Sequence, residues 1–194
     1  MENFETIQKE LEKNLSEKRY QHSLGVAKMA GILAKIHGED EQIAELTGLA
    51  HDMAKKLSLE ENRKYIEENN IEIDEIEKRN PALLHAKIGA DMAKKQYGFT
   101  SQMQDAIKYH TTANPKMDKL AKIIYVADKI EENRTFEEVE NLRALAMQNL
   151  EEAVLAILSY DIKKNIDKGK LLHLDSINTR NSILLKNNIE QFSK

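Results

Sequence analysis

Ala50-His51-Asp52-Met53-Ala54-Lys55 is the stretch that decides how this chain reads. A histidine and an aspartate stand side by side, and Ala44 and Gly48 lead into His51 at helical spacing. The pattern predicts an amphipathic helix over 40–55 that carries the pair on or beside its apolar stripe. A carboxylate facing a core costs on the order of several kcal/mol unless a cation or an arginine pairs with it.

The same combination recurs further along the sequence. His22 continues through Val26, Met29-Ala30 and Leu33, and His85 leads into Ile88, Gly89 and Met92. His110 closes the stripe Met103, Ala106-Ile107, while Asp128 ends the apolar run Ile123–Ala127 and is followed by Ile130. Four of the chain's six histidines belong to this set. A lone histidine on an apolar face is usually a hydrogen-bonded core residue, and one lysine would satisfy one aspartate. Neither explains four inward histidines together with two aspartates. The set predicts a buried metal centre assembled from separate helices, and hence a metal-dependent hydrolase.

Imidazole and carboxylate without thiolate suit iron, manganese, zinc, nickel or cobalt. A closed structural zinc site stops at four ligands. Six candidates instead predict a binuclear site, or one ion plus a histidine pair that faces the substrate. Asp52, beside His51, is placed to bridge two ions around a shared water.

Composition bounds the rest. The chain has 194 residues, no cysteine, and 29 basic against 33 acidic residues for a formal charge of −4. The absence of cysteine excludes a disulfide framework, a zinc ribbon and a thiol nucleophile. The mixed charge gives no long-range pull on nucleic acid and no polybasic membrane patch. Met1-Glu-Asn-Phe-Glu is polar, and no apolar run approaches a bilayer span, so a soluble, cytoplasmic protein is expected. No Walker loop, Gly-rich cradle or Gly-x-Ser-x-Gly elbow occurs, which argues against a P-loop NTPase and a serine hydrolase.

Two prolines, seven glycines and the lack of alternating runs predict helices nearly throughout. They fall at about 3–16, 18–37, 40–55, 59–69, 82–97, 100–111, 117–132, 137–148, 150–168 and 176–190. Gly38, Gly98 and Gly169 each follow a helical pattern, Pro81 opens one, and residues 67–80 read as a flexible connection.

Longer words surround the ligand candidates: Arg19-Tyr20-Gln21-His22, Ala50–Lys55, Leu84-His85-Ala86-Lys87-Ile88-Gly89-Ala90 and Tyr109-His110-Thr111-Thr112. Tyr125–Glu131 with Asn133-Arg134, and His173-Leu174-Asp175-Ser176-Ile177 with Arg180-Asn181, complete them. In this order they resemble the YqeK family, a branch of the HD-domain superfamily of metal-dependent phosphohydrolases, over residues 19 to 185. The resemblance implies an all-α HD-domain helical bundle, with a core at about 18–135 and C-terminal helices 136–194 packed on it in a single domain. It implies symmetric hydrolysis of diadenosine tetraphosphate to two ADP, with iron as cofactor. By resemblance His22, His51, Asp52 and Asp128 hold the first metal, and His85 and His110 hold a second metal or a phosphate oxygen. A homodimer is compatible with the same resemblance.

Other residues carry two readings. Lys55, one helical turn after His51, reaches a phosphate oxygen or is a surface lysine beside Lys56. Arg134 clamps phosphate or pairs with Glu137 or Glu138. Arg19 belongs to the matching words and is assigned to substrate with them. Thr111 and Thr112 donate to substrate or end a helix; Asp175-Ser176, after His173, opens an anion site or caps. Ala113, Glu132 and Leu174 stand where the family pattern has glycine, proline and proline, which touches nucleotide preference and leaves every metal ligand in place. Met53-Ala54-Lys55 after the His-Asp pair departs from the alarmone hydrolases, which carry acidic residues there. The rival readings are a nucleotidase acting on mononucleotides, a metal-loaded nucleotide sensor that does not turn over, and a purely structural bundle.

Overall fold

A computed structural model describes the backbone of residues 2–192 and the side chains of residues 4–187; Met1 and residues 193–194 of the expected 1–194 domain lie outside it. The described residues form eleven α-helices and no strand. They are α1 (Glu2–Asn14), α2 (Glu17–His37), α3 (Glu41–Ala50), α4 (Leu59–Glu68), α5 (Glu75–Arg79), α6 (Leu84–Tyr97), α7 (Ser101–Tyr109), α8 (Lys119–Ile130), α9 (Val139–Gln148), α10 (Leu150–Asp167) and α11 (Leu174–Phe192). None of the described helices is long and apolar enough to cross a membrane.

Side-chain caps set many of the starts. Asp40, Thr100, Asp118 and Asn149 each accept a hydrogen bond from a first-turn backbone N–H of α3, α7, α8 and α10. Gly38 and Gly98 end α2 and α6 in the left-handed conformation, at φ 71° and 68°.

The apolar run Ile123–Ala127 places α8 at the centre. Leu120, Ala121, Ile123, Ile124, Tyr125, Val126, Ala127 and Ile130 are all buried, as expected of a helix apolar on nearly every side. α2, α3 and α7 pack on one part of it and α10 on another, with α9 and α11 joined to α10. Leu84, Ile88 and Ala54 form a smaller apolar cluster under α4.

One close approach positions the His-Asp stretch. A Cβ built on Gly48 of α3 would lie 3.1 Å from the Ala27 Cα and from the Val26 carbonyl oxygen of α2. Only backbone opposes it there, and backbone cannot rotate away. Gly48→Ala is therefore expected to cost about 1–3 kcal/mol through overpacking. Gly89→Ala is the control, because its Cβ meets nothing nearer than 3.6 Å. Thermal denaturation should show a lowered Tm for the first and little change for the second; equal effects would remove the close-packing argument.

The structure departs from the expected helices in two places. α3 stops at Ala50, so His51-Asp52 lies just beyond it and not inside a helix running to residue 55. Residues 51–56 form successive turns, with Met53 N–H on the Ala50 carbonyl (3.0 Å) and Lys55 N–H on the Asp52 carbonyl (2.9 Å). These bonds span three residues, so Lys55 stands over Asp52 and not one α-turn from His51. The second departure is α5, within the stretch expected to be a flexible connection. Asp74 and Glu77 form a capping box, and buried Glu77 accepts a hydrogen bond from Lys87 at 2.6 Å.

Candidate metal centre

His22 comes from the first half of α2, His51 and Asp52 from the turns after α3, His85 from the first turn of α6, His110 from the end of α7, and Asp128 from the last turn of α8. The fold brings all six to one place, at the base of a cleft of about 700 Å³. Donor atoms of His22, His51 and Asp128 lie within 4.8 Å of one another, as do those of His51, Asp52 and His110. His85 Nε2 is 3.1 Å from Asp52 Oδ1 and 3.1 Å from His110 Nε2.

Local backbone aims the rings. His51, His85 and His110 each donate an Nδ1–H to a carbonyl three residues earlier, on Gly48, Ala82 and Ile107, at 2.7 Å in every case. That fixes the tautomer in which Nε2 carries the lone pair and points into the site. Burial, against the pull of the nearby carboxylates, pushes the His51 imidazole down to about 3 and also lowers His85. Both shifts favour the neutral ring, the form that can ligate a metal ion. Burial works against ionisation of Asp52 and Asp128, yet His51 and the other imidazoles at Asp52, and Lys129 and His22 at Asp128, hold both carboxyls well below their usual range.

This donor set fits a metal ion. His51 Nε2 and Asp52 Oδ1 are buried with no hydrogen-bond partner, a costly arrangement for polar atoms. His85 and His110, each with Nδ1–H already given to a carbonyl, turn two Nε2 lone pairs toward each other at 3.1 Å. A cation among these atoms would meet the lone pairs and carboxylates together.

His22 is oriented by a different partner. Its Nδ1 lies 3.0 Å from Glu131 Oε1 and its Nε2 3.1 Å from Asp128 Oδ1. Burial pulls its pKa down, but Asp128 and Glu131 outweigh that and raise it. Glu131 is itself buried and accepts from the Asn133 backbone N–H (2.7 Å) and side-chain amide (3.0 Å). Sequence reasoning placed Glu131 at the end of the matching stretch Tyr125–Glu131 but assigned it no role. A second signal is its i+3 spacing from Asp128. Glu131→Gln is expected to lower metal affinity about 10–100-fold while the fold persists, as measured by metal titration; unchanged affinity would remove the orienting role.

The cleft is lined by cations. Arg19 Nη1 lies 3.6 Å from Asp52 Oδ2, and Lys55 Nζ lies 3.0 Å from His85 Nε2 and 3.7 Å from Asp52 Oδ1. Arg134 donates to Asp128 Oδ1 at 2.8 Å and to the Asp128 carbonyl at 2.9 Å, so it faces the centre and not Glu137 or Glu138. Lys129, also unassigned from sequence, sits 3.3 Å from Asp128 Oδ2. Arg143 was missed as well. It donates to the carbonyls of Ile130 (2.8 Å), Glu131 (2.6 Å) and Arg134 (3.0 Å), and so fixes the loop that carries Glu131 and Arg134.

The remaining substrate candidates separate. Thr111 Oγ1 lies 3.1 Å from His110 Nε2 and 3.4 Å from His85 Nε2. Thr112 turns its hydroxyl to the Ala113 carbonyl at 3.2 Å, and Ser176 donates to the Thr112 carbonyl at 2.7 Å, latching α11 to the loop after α7. The His173 ring caps α11 by accepting from the Asp175 N–H at 3.2 Å, and lines a second cavity. Ala113 has φ 57°, the left-handed region in which the family's glycine is free of strain.

The sequence profile of the HD domain matches residues 19–133, which span every ligand candidate. The chain belongs to the HD-domain superfamily, in its YqeK branch. Within that branch it is 38% identical over 174 residues to a symmetrical bis(5'-nucleosyl)-tetraphosphatase of Halalkalibacterium halodurans, covering 89% of this chain and 92% of that one. The enzyme of the same name from Bacillus subtilis is 34% identical, covering 88% and 92%. A crystal structure from Clostridium acetobutylicum, titled a predicted HD superfamily hydrolase involved in NAD metabolism, superposes with a TM-score of 0.91 at 41% identity, covering 94% of this chain and 97% of that one. The all-α bundle described above is accordingly the HD-domain fold.

Proposed function

We propose that this HD-domain protein is a metal-dependent symmetrical bis(5'-nucleosyl)-tetraphosphatase, which cleaves diadenosine tetraphosphate with one water into two ADP. The observation that carries the reading is the convergence of four histidines and two aspartates at the base of a cleft rimmed by Arg19, Lys55, Lys129 and Arg134. The names of relatives that match over nearly their full length support the same substrate class.

His22, His51, Asp52 and Asp128 would hold one ion, with His85 and His110 for a second ion or for a phosphate oxygen. Iron is the metal that the family resemblance implies, and a thiolate-free set of imidazoles and carboxylates suits manganese, cobalt, nickel or zinc as well. The bound ion supplies Lewis acidity, lowering the pKa of water and offsetting phosphoryl charge.

The chain's own groups do the rest. Asp52 orders the site from below, held among His51, His85 and His110. The Lys55 ammonium faces the same point, where it meets the negative charge that builds on the phosphoryl oxygens and the departing ADP. Arg19 and Arg134 bind further phosphate oxygens, and Arg134 is suited to bidentate contact. The Thr111 hydroxyl, beside the His85 and His110 rings, donates to a phosphate oxygen. Thr112 and Ser176 act further out, where they join the loop after α7 to α11, and His173 caps α11 at the wall of the second cavity. A cytoplasmic location, a homodimer and a single domain that includes α9–α11 belong to the same reading.

The test is product analysis of diadenosine tetraphosphate incubated with anaerobically iron-loaded protein, resolved by ion exchange. ADP as the sole product is expected. AMP with ATP would place the attack elsewhere. No cleavage with metal bound would favour a mononucleotidase or a sensor.

A further inference from the structure

Thr111 stands in a partition with a cavity on each side. One side is the cleft of the metal centre. The other is a cavity of about 460 Å³ between α5, α6, the end of α7 and the start of α11. Both volumes fall in the range of roughly 300–1,000 Å³ typical of small-molecule sites. A symmetric dinucleotide has a second, chemically identical half beyond the linkage that reacts.

The second cavity has the chemistry such a half needs. Lys108 and Lys116, both exposed on its wall, make no ion pair among the described residues, and the Lys108 ammonium rests 5.6 Å from the Tyr109 ring centre. The cavity's carboxylates are largely spent within the protein. Glu77 is neutralised by Lys87 at 2.6 Å, and Asp175 accepts from the Asn114 amide at 2.9 Å. Asp74 accepts from the Ile76 and Glu77 N–H groups through Oδ1 and turns Oδ2 toward the His173 ring. The His173 ring is nine-tenths buried, and its Nδ1 accepts from the Asp175 N–H, which leaves Nε2 as the ring's donor. That Nε2 has no hydrogen-bond partner, although Asp74 Oδ2 lies 2.9 Å away out of line. A buried donor left unused at a cavity wall is costly unless something in the cavity accepts from it.

We infer that this cavity seats the second nucleoside-diphosphate half of the substrate, so that the linkage to be broken crosses the partition at Thr111 beside His85 and His110. The inference rests on the symmetric-hydrolase reading and adds to it the place of the distal nucleotide. It makes the enzyme selective for substrates with a nucleoside at both ends.

The experiment compares diadenosine tetraphosphate with adenosine 5'-tetraphosphate, which lacks one nucleoside, on the metal-loaded wild-type chain and on the double variant Lys108→Glu, Lys116→Glu. Both lysines are on the surface, so the variant is expected to fold. Wild type should show a KM for the one-ended substrate at least about tenfold higher, equivalent to the loss of about 1.4 kcal/mol of binding. The double variant should raise KM for the dinucleotide about tenfold or more, with the loss in KM and not in kcat. Equal KM values for the two substrates on wild type, or an unmoved KM in the variant, would overturn the inference while leaving the hydrolase reading intact. Wild type that makes no ADP from the dinucleotide would overturn the hydrolase reading, and the inference with it.

Discussion

Asp52→Ala is expected to abolish turnover, by at least about a thousandfold or roughly 4 kcal/mol of transition-state stabilisation, because it removes the carboxylate around which three of the histidines gather. Metal content should fall with it. The energetics allow this loss to be told apart from misfolding. In the metal-free chain burial opposes ionisation of Asp52, but His51 and the other imidazoles hold its carboxyl well below the usual range, so its removal takes a favourable charge away from Lys55 and Arg19 and should lower the metal-free Tm. Each chain is therefore compared with its own metal-loaded form. A metal held at about a hundred times its Kd stabilises the native state by about 2.7 kcal/mol, or roughly 5–10 °C in Tm for a chain of this length. Wild type should gain that increment when loaded, and the variant should not. Full activity, or an unchanged metal-dependent Tm shift, would remove Asp52 from the centre.

Lys55→Ala is expected to keep the metal and slow hydrolysis by about ten- to a thousandfold. Its ammonium sits three-quarters buried between His85 and Asp52. Burial pushes its pKa down while Asp52 and Asp128 pull it back. A cation held there meets charge that builds up in the transition state, so kcat and kcat/KM should fall together. A rise in KM alone would instead make Lys55 a ground-state contact, and retained full activity would remove its role. Metal analysis on the same sample separates this outcome from that of Asp52→Ala.

The six ligand candidates were legible in the sequence because burying a charge is expensive. Asp52 and Asp128 stand where helical periodicity demands apolar residues, and four histidines share that peculiarity. What the sequence concealed has physical reasons as well. The turns at 51–56 read as helix because Met53 and Ala54 continue the apolar spacing, yet the three-residue hydrogen bonds there move Lys55 onto Asp52. α5 is a single short turn whose stability comes from its Asp74–Glu77 capping box and the Lys87 pair. The box is written in the sequence, but periodicity over five residues carries little signal. Glu131 and Arg143 resemble ordinary surface charges, since nothing local tells that a loop will fold back over them. Arg134 shows the same limit. Spacing favoured a surface ion pair, and the tertiary fold turned it onto Asp128.

The most direct measurement of the central claim is hydrolysis of diadenosine tetraphosphate by the metal-loaded chain in ¹⁸O-labelled water, with the products resolved by mass spectrometry. The account predicts ADP alone, half of it carrying a single ¹⁸O on its terminal phosphate, because one water attacks one inner phosphorus and the other ADP departs. Labelled AMP or ATP, or unchanged substrate on a chain with its metal in place, would contradict it.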